Sequence, residues 1–317
     1  MSLCLDFSLG RGYHYAEKGS DLDMKQKKSL ARRLIAAVLA LCLLASLGSA
    51  LAIDAGQTRA VIGANLTQEQ KNVVYNTFGI TPGSVTELTV TNSEERTYLE
   101  SYVDSSIIGN NAISCVYLET LEEGSGLQVS CSNITWCTQE MYVNALVTAG
   151  VSDAKLIVTA PFGVSGTAAL TGVYKAYEDI TGEKLDELAK LAGTQELVIT
   201  AELADTIGNI DAVTIVNELK GILDETQNMT DEQLRQQILA IAEQYNVSLS
   251  DTLMNQLVKL CRSLEGLSND ELQAKVEQVQ GMLSKLAGAK ETVSGIVSHV
   301  KNFFAAIGDF FSNLFGK

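Results

Sequence analysis

The sequence predicts an α+β fold: a small mixed domain of about four strands, followed by an all-helical domain that ends in a long amphipathic helix. Three observations predict it. Segments with the period-two pattern of strands are confined to residues 85–160 and are interleaved with helical segments. From about Ser165 the apolar spacing becomes three and four and stays so. Beyond Leu272 that spacing tightens into a heptad seam. The division is a leader and signal peptide over 1–52, an α+β domain over 53–165 and a helical domain over 166–317.

The leader rests on charge order. Lys25, Lys27, Lys28, Arg32 and Arg33 precede the uncharged run LIAAVLALCLLASLGSALA from Leu34 to Ala52, which closes on Ala50-Leu51-Ala52. Basic region, apolar region and small-residue cleavage site, in that order, make a secretory signal peptide. An uncleaved anchor is the alternative, since the run approaches the roughly 20 residues that span a bilayer. Met24 alone starts such a signal, so residues 1–23 read as an upstream start and are set aside. Leu41 before Cys42 is not the small residue of a lipobox.

Thr67 with Gln70 forms a capping box for a short helix that stops at Gly79. VTELTVT (85–91) alternates as a strand, and SEERTYLESYV (93–103) returns to helix. NAISCVYLET (111–120) and GLQVSCSNIT (126–135) flank the turn Leu121–Ser125 and predict a hairpin. Thr138 opens a helix ending at Gly150, and AKLIVTA (154–160) is a short apolar strand. The sheet is expected to be covered mainly on one side. Helices follow at 166–180, 184–207, 211–226, 230–245, 250–265 and from 269 onward, with start signals at Asp211, Thr230 with Gln233, and Ser268 with Glu271.

Composition excludes several chemistries. Without the leader the chain keeps 16 basic and 34 acidic side chains, a net charge near −18, which opposes binding to nucleic acid. Of two histidines, His14 falls in the leader and His299 in the terminal helix, so Ser-His-Asp and Cys-His hydrolases lack a placed base. Zinc lacks a ligand set, and DETQNMTDE (224–232) lacks the ligand pattern and central glycine of an EF-hand. We expect no metal and no cofactor. Carboxylates can fill acid and base roles by themselves. Glu94 with Glu95, Glu119, Glu122 with Glu123, and Glu178 with Asp179 are candidates, but their spacing singles out no pair.

Cys115, Cys131, Cys137 and Cys261 lie beyond the leader, an even number that permits disulfides in an exported chain. If the hairpin turn closes symmetrically about Glu123, Cys115 faces Cys131 and the remainder is Cys137 with Cys261. Free buried thiols are the alternative. The glycine-bearing stretch VTAPFGVSGTAALTG (158–172) joins a strand to a helix. It matches neither the Walker nor the dinucleotide-binding spacing, because Gly163 is followed by Gly166 and no lysine appears before Lys175. Either it is a tight turn capped by Ser165 or Thr167, or Gly163, Ser165, Gly166 and Thr167 hold an anion on free amides.

The terminal helix carries Leu272, Val276, Val279, Leu283, Leu286, Val293, Val297, Val300, Phe304, Ile307, Phe311 and Leu314 in heptad steps. Its last part, KNFFAAIGDFFSNLFGK, gathers Phe303, Phe304, Ile307, Phe310, Phe311, Leu314 and Phe315. Such a face docks on the protein's own core, on a membrane or envelope component, or on a second copy.

The run NITWCTQEMYVNALVTAGVSDAKLIVTAPFGVSGTAALTGVYKAYEDITGEKLDE (133–187) resembles the YpuA-like family of exported proteins from Gram-positive bacteria, a domain of unknown function. The similarity extends to ELADTIGN (202–209), MTDEQLRQQILAIAEQYNVSL (229–249) and the Phe-rich tail. The resemblance implies secretion and one shared architecture, and brings no reaction and no site residues. The expected function is a secreted or envelope-associated interaction module without enzymatic activity, meeting membrane or cell wall, or itself, through the terminal helix. A cell-wall hydrolase working with carboxylates and an extracellular ligand-binding domain are the competing classes.

Overall fold

A computed structural model of the chain describes residues 54–102 and 105–267. Ile53–Lys317 form one compact unit and Met1–Ala52 another. The leader, His299, the heptad seam from Leu272 and the Phe-rich tail lie outside the described residues.

The strands are β1 (Thr58–Gly63), β2 (Thr86–Val90), β3 (Cys115–Thr120), β4 (Leu127–Ile134) and β5 (Ala154–Val164), in one five-stranded sheet of order β2-β1-β3-β5-β4. Helix α1 (Gln68–Phe78) carries the chain from β1 to the parallel β2, and α4 (Gln139–Thr148) carries it from β4 to the parallel β5. These are two strand–helix–strand crossovers, which parallel pairing requires. Between them β3 runs antiparallel to both β1 and β5.

The other helices are α2 (Asn92–Leu99), the single turn α3 (Ser105–Ile108), α5 (Thr167–Thr181), α6 (Glu187–Ile207), α7 (Asn209–Gly221), α8 (Leu223–Thr226), α9 (Asp231–Gln244) and α10 (Asp251–Glu265). Thr67, Thr91 and Thr230 open α1, α2 and α9 with reciprocal capping boxes. The helix expected over 211–226 is broken at Ile222 (φ −115°, ψ 14°), which separates α7 from α8.

Both sheet faces are covered, against the expectation of cover mainly on one side, because the crossover helix α1 packs on the face opposite α4 and α5. Val61, Val116, Leu118, Leu156 and Val158 pack on Met141, Tyr142 and Leu146 of α4 and on Ala169, Leu170 and Val173 of α5. On the reverse face Ala60, Ile62, Cys115, Tyr117 and Ile157 meet Val74, Tyr75 and Phe78 of α1. Helices α6 to α10 build a second core around Ile199, Leu203, Ile215, Leu219, Ile238, Leu257 and Cys261. Helix α6 belongs to both, since Leu197 and Ala201 pack toward the sheet. It reaches α4 at Gly193, where a Cβ would stand 2.4 Å from the Ala145 carbonyl oxygen.

Two expectations are corrected here. The hairpin over 111–135 does not form, because β5 lies between β3 and β4. The reason is polarity: β5 is buried along most of 154–160, with Leu156, Val158 and Ala160 on one face and Ile157 and Thr159 on the other, and takes an interior place, whereas β4 turns Gln128, Ser130 and Ser132 outward and takes an edge. The pairing of Cys115 with Cys131 falls with the hairpin. Two strand spacings separate them by roughly 9.5 Å, beyond the roughly 7 Å a disulfide can bridge. They also occupy opposite faces, as Cys115 pairs with Thr159 and Cys131 with the adjacent Val158. All four cysteines are free, with Cys137 under the sheet and Cys261 in the helical core.

Candidate functional site

Strand β5 delivers the chain to the glycine-bearing turn. Gly163 is exposed and Ser165 half-buried, while Gly166 and Thr167 are buried. Gly166 takes φ 102°, and a Cβ there would fall 2.6 Å from both the Tyr142 hydroxyl and the Ile134 side chain. Only glycine allows this approach, and it lets Tyr142 donate a 2.5 Å hydrogen bond to the Gly166 carbonyl.

The expected cap is corrected: Gly166 occupies the N-cap of α5, and no side chain caps the helix from that position. Instead the Thr167 hydroxyl donates to Glu95 Oε1 at 2.5 Å and lies 3.1 Å from Ser165 Oγ. The amide of Ala169 donates to Ser114 Oγ at 2.9 Å. Asn92 Nδ2 holds the second Glu95 oxygen at 3.1 Å. Glu95 is 1 % exposed, so a buried carboxylate from α2 stands against the Thr167 hydroxyl at the first turn of α5. Burial pushes its carboxyl above the usual range, against the opposing pull of Thr167, Asn92 and the nearby Arg96 charge.

The other candidate carboxylates bind elements together. Glu94 meets Lys175 of α5 at 2.6 Å, and these bonds outweigh burial to hold it below its ordinary value. Glu178 lies between Lys184 (2.6 Å) and Lys190 (2.8 Å). Burial alone would raise its carboxyl, but the two ammonium groups keep it low. Lys190 is itself 2 % exposed, bonded to the Tyr98 hydroxyl at 3.1 Å and 5.4 Å from the centre of that ring. Asp179 pairs with Arg59 of β1 at 2.5 Å. Glu119 lies mid-sheet opposite Lys155, and Glu122 with Glu123 is exposed in the turn after β3.

A polar cluster not anticipated from the sequence joins α4, α6 and α7. Glu196 and Lys220, both 0 % exposed, pair at 2.9 Å, and the Thr148 hydroxyl donates to Glu196 Oε2 at 2.5 Å. Lys220 also reaches the Asn144 carbonyl at 3.5 Å. The carboxamides of Asn144 and Asn217 are buried with no hydrogen-bond partner among the described residues.

Burial pushes every described thiol up: Cys115 to about 11, Cys131 and Cys261 to about 12, and Cys137 further still. Such thiols are poor nucleophiles. Among the described residues no group of three His, Cys, Asp or Glu is arranged around a metal position, and no helix is long and apolar enough to cross a membrane. Each carboxylate of α2 and α5 makes a contact that fixes one element on another.

Residues 62–282 match the family described as "Protein of unknown function (DUF1002)". The chain is 39% identical over 265 residues to "Uncharacterized protein YpuA" of Bacillus subtilis (strain 168), with 82% of this chain and 87% of that protein covered. No solved structure matches. The chain belongs to the DUF1002 family of proteins of unknown function.

Proposed function

We propose that the chain is exported and acts outside the cytoplasm as a non-enzymatic module of the cell envelope. The sheet-bearing part, 53–165, serves as scaffold, and the helical part, 166–317, with its Phe-rich end makes the contact with membrane or wall. The observation that carries the reading is Glu95: at the glycine-bearing turn, the chain's own buried carboxylate takes up the Thr167 hydroxyl at the start of α5. A second support is that the compact unit begins at Ile53, the residue after the expected cleavage point.

The test is to express the full chain in a Gram-positive host, separate medium, wall, membrane and cytoplasm, and sequence the N-terminus of the recovered protein. A chain beginning at Ile53 in the wall or membrane fraction is the expected result. Recovery from the cytoplasm with residues 25–52 still attached would reject it.

A further inference from the structure

The two edges of the sheet are built differently. β2 is five residues long and sets the exposed Glu87 on its rim, with that carboxylate accepting from the Gly83 amide and the Tyr75 hydroxyl. A short strand bearing a carboxylate is a guarded edge. β4 is eight residues long and has no charge and no proline; its one irregularity lies at Ser132–Ile134, leaving 127–132 regular. It lies within residues 124–139, an uncharged stretch in a chain of net charge −15. Gln128, Ser130 and Ser132 are exposed, but the Ser130 hydroxyl donates back to Leu156 O and Ser132 pairs with Thr159, so neither covers the outer rim. Among the described residues the backbone of 128–132 bonds only to β5.

We propose that β4 is a self-association edge, pairing antiparallel with β4 of a second copy about a two-fold axis near Ser130. An axis normal to the sheet keeps each face continuous, so Ser130 stands opposite its own symmetry mate, Gln128 opposite Ser132, and Val129 opposite Cys131. The resulting sheet has ten strands. Charge permits a second copy here: two leaderless chains, each of net charge near −18, repel one another over most of their surfaces, but residues 124–139 carry no charge and set no like charges opposite each other across the seam. From Leu272 onward the sequence carries heptad spacing and does not offer a strand to fill the edge.

The test is the mass of residues 53–317 by light scattering across a concentration series, for the wild type, Ser130→Lys and Thr86→Lys. Ser130→Lys sets two ammonium groups against each other across the axis without touching the core. Thr86→Lys places the same charge on the other edge. The expected masses are dimer, monomer and dimer, with circular dichroism unchanged in all three. A wild type that stays monomeric, or a dimer that survives Ser130→Lys, as contact through the terminal helix would, overturns the proposal.

Discussion

The Glu196–Lys220 pair offers the sharpest test of how this interior is held. Both side chains have no solvent exposure, and they meet at 2.9 and 3.3 Å across α6 and α7. Replacing Lys220 by methionine removes the ammonium and leaves a carboxylate sealed under α4, with Thr148 as its remaining side-chain donor. Removing one partner of such a pair costs about 3–5 kcal/mol, because the other charge stays buried and uncompensated. For a domain of this size that lowers the melting temperature by roughly 6–20 °C. Replacing both, Glu196→Leu with Lys220→Met, removes the stranded charge together with its partner and returns stability to within about 1 kcal/mol of wild type. Urea unfolding of residues 53–317 and its three variants measures the four corners of the cycle. If Lys220→Met costs less than about 1 kcal/mol, or the double variant is as unstable as the sum of the singles, the pair is not a buried, mutually compensating unit.

Three further outcomes follow from the same geometry. Because Glu95 ionises at a higher pH in the folded chain than its ordinary 4.5, the folded state holds its proton more tightly, so this group's contribution to stability falls as pH rises from 4.5 through the folded value. Glu95→Gln mimics the protonated form, keeps the Thr167 contact and should flatten that decline in pH-dependent melting curves. Glu95→Ala orphans Thr167 and should cost about 1–3 kcal/mol; equal stability of the two variants would contradict the buried Thr167–Glu95 bond. Gly193→Ala adds a methyl 2.4 Å from the Ala145 carbonyl, and the overpacking cost of about 1–3 kcal/mol exceeds the helix gain of about 1 kcal/mol. Thermal unfolding reads the net loss, and a stabilised variant would show that α6 does not cross α4 there. Buried and with thiols pushed to about 11 or above, Cys115, Cys137 and Cys261 should react with a disulfide reagent only after denaturation, and rapid labelling of all three in the native protein would refute their burial.

What could be read from the sequence was what is encoded locally. The capping boxes at Thr67 and Thr230, the glycine stop after α1 and the strand at 154–160 are set by residues within one turn of each other, and the structure has them in those places. Strand β1 escaped notice because Ala60, Val61 and Ile62 are all buried, which erases the alternation that marks a strand. Sheet order is a contest between strands: β5, the more apolar of the two, wins the interior from β4, and no window confined to residues 111–135 contains that information. At the turn, the need for Gly166 was visible, but Glu95 arrives from 72 residues away. Glu196 did leave a trace. It stands on the same helical stripe as Ala192, Ile199 and Leu203, so a carboxylate in that line called for a buried partner.

The most direct test of the central claim is co-sedimentation of residues 53–317 with liposomes and, separately, with purified cell walls, beside a truncation ending at Ser294. The account predicts that the longer chain pellets with one of the two and that the truncation stays in solution while keeping its fold. If both forms stay in the supernatant with lipid and with wall, the chain is not an envelope module and its terminal phenylalanines serve another purpose.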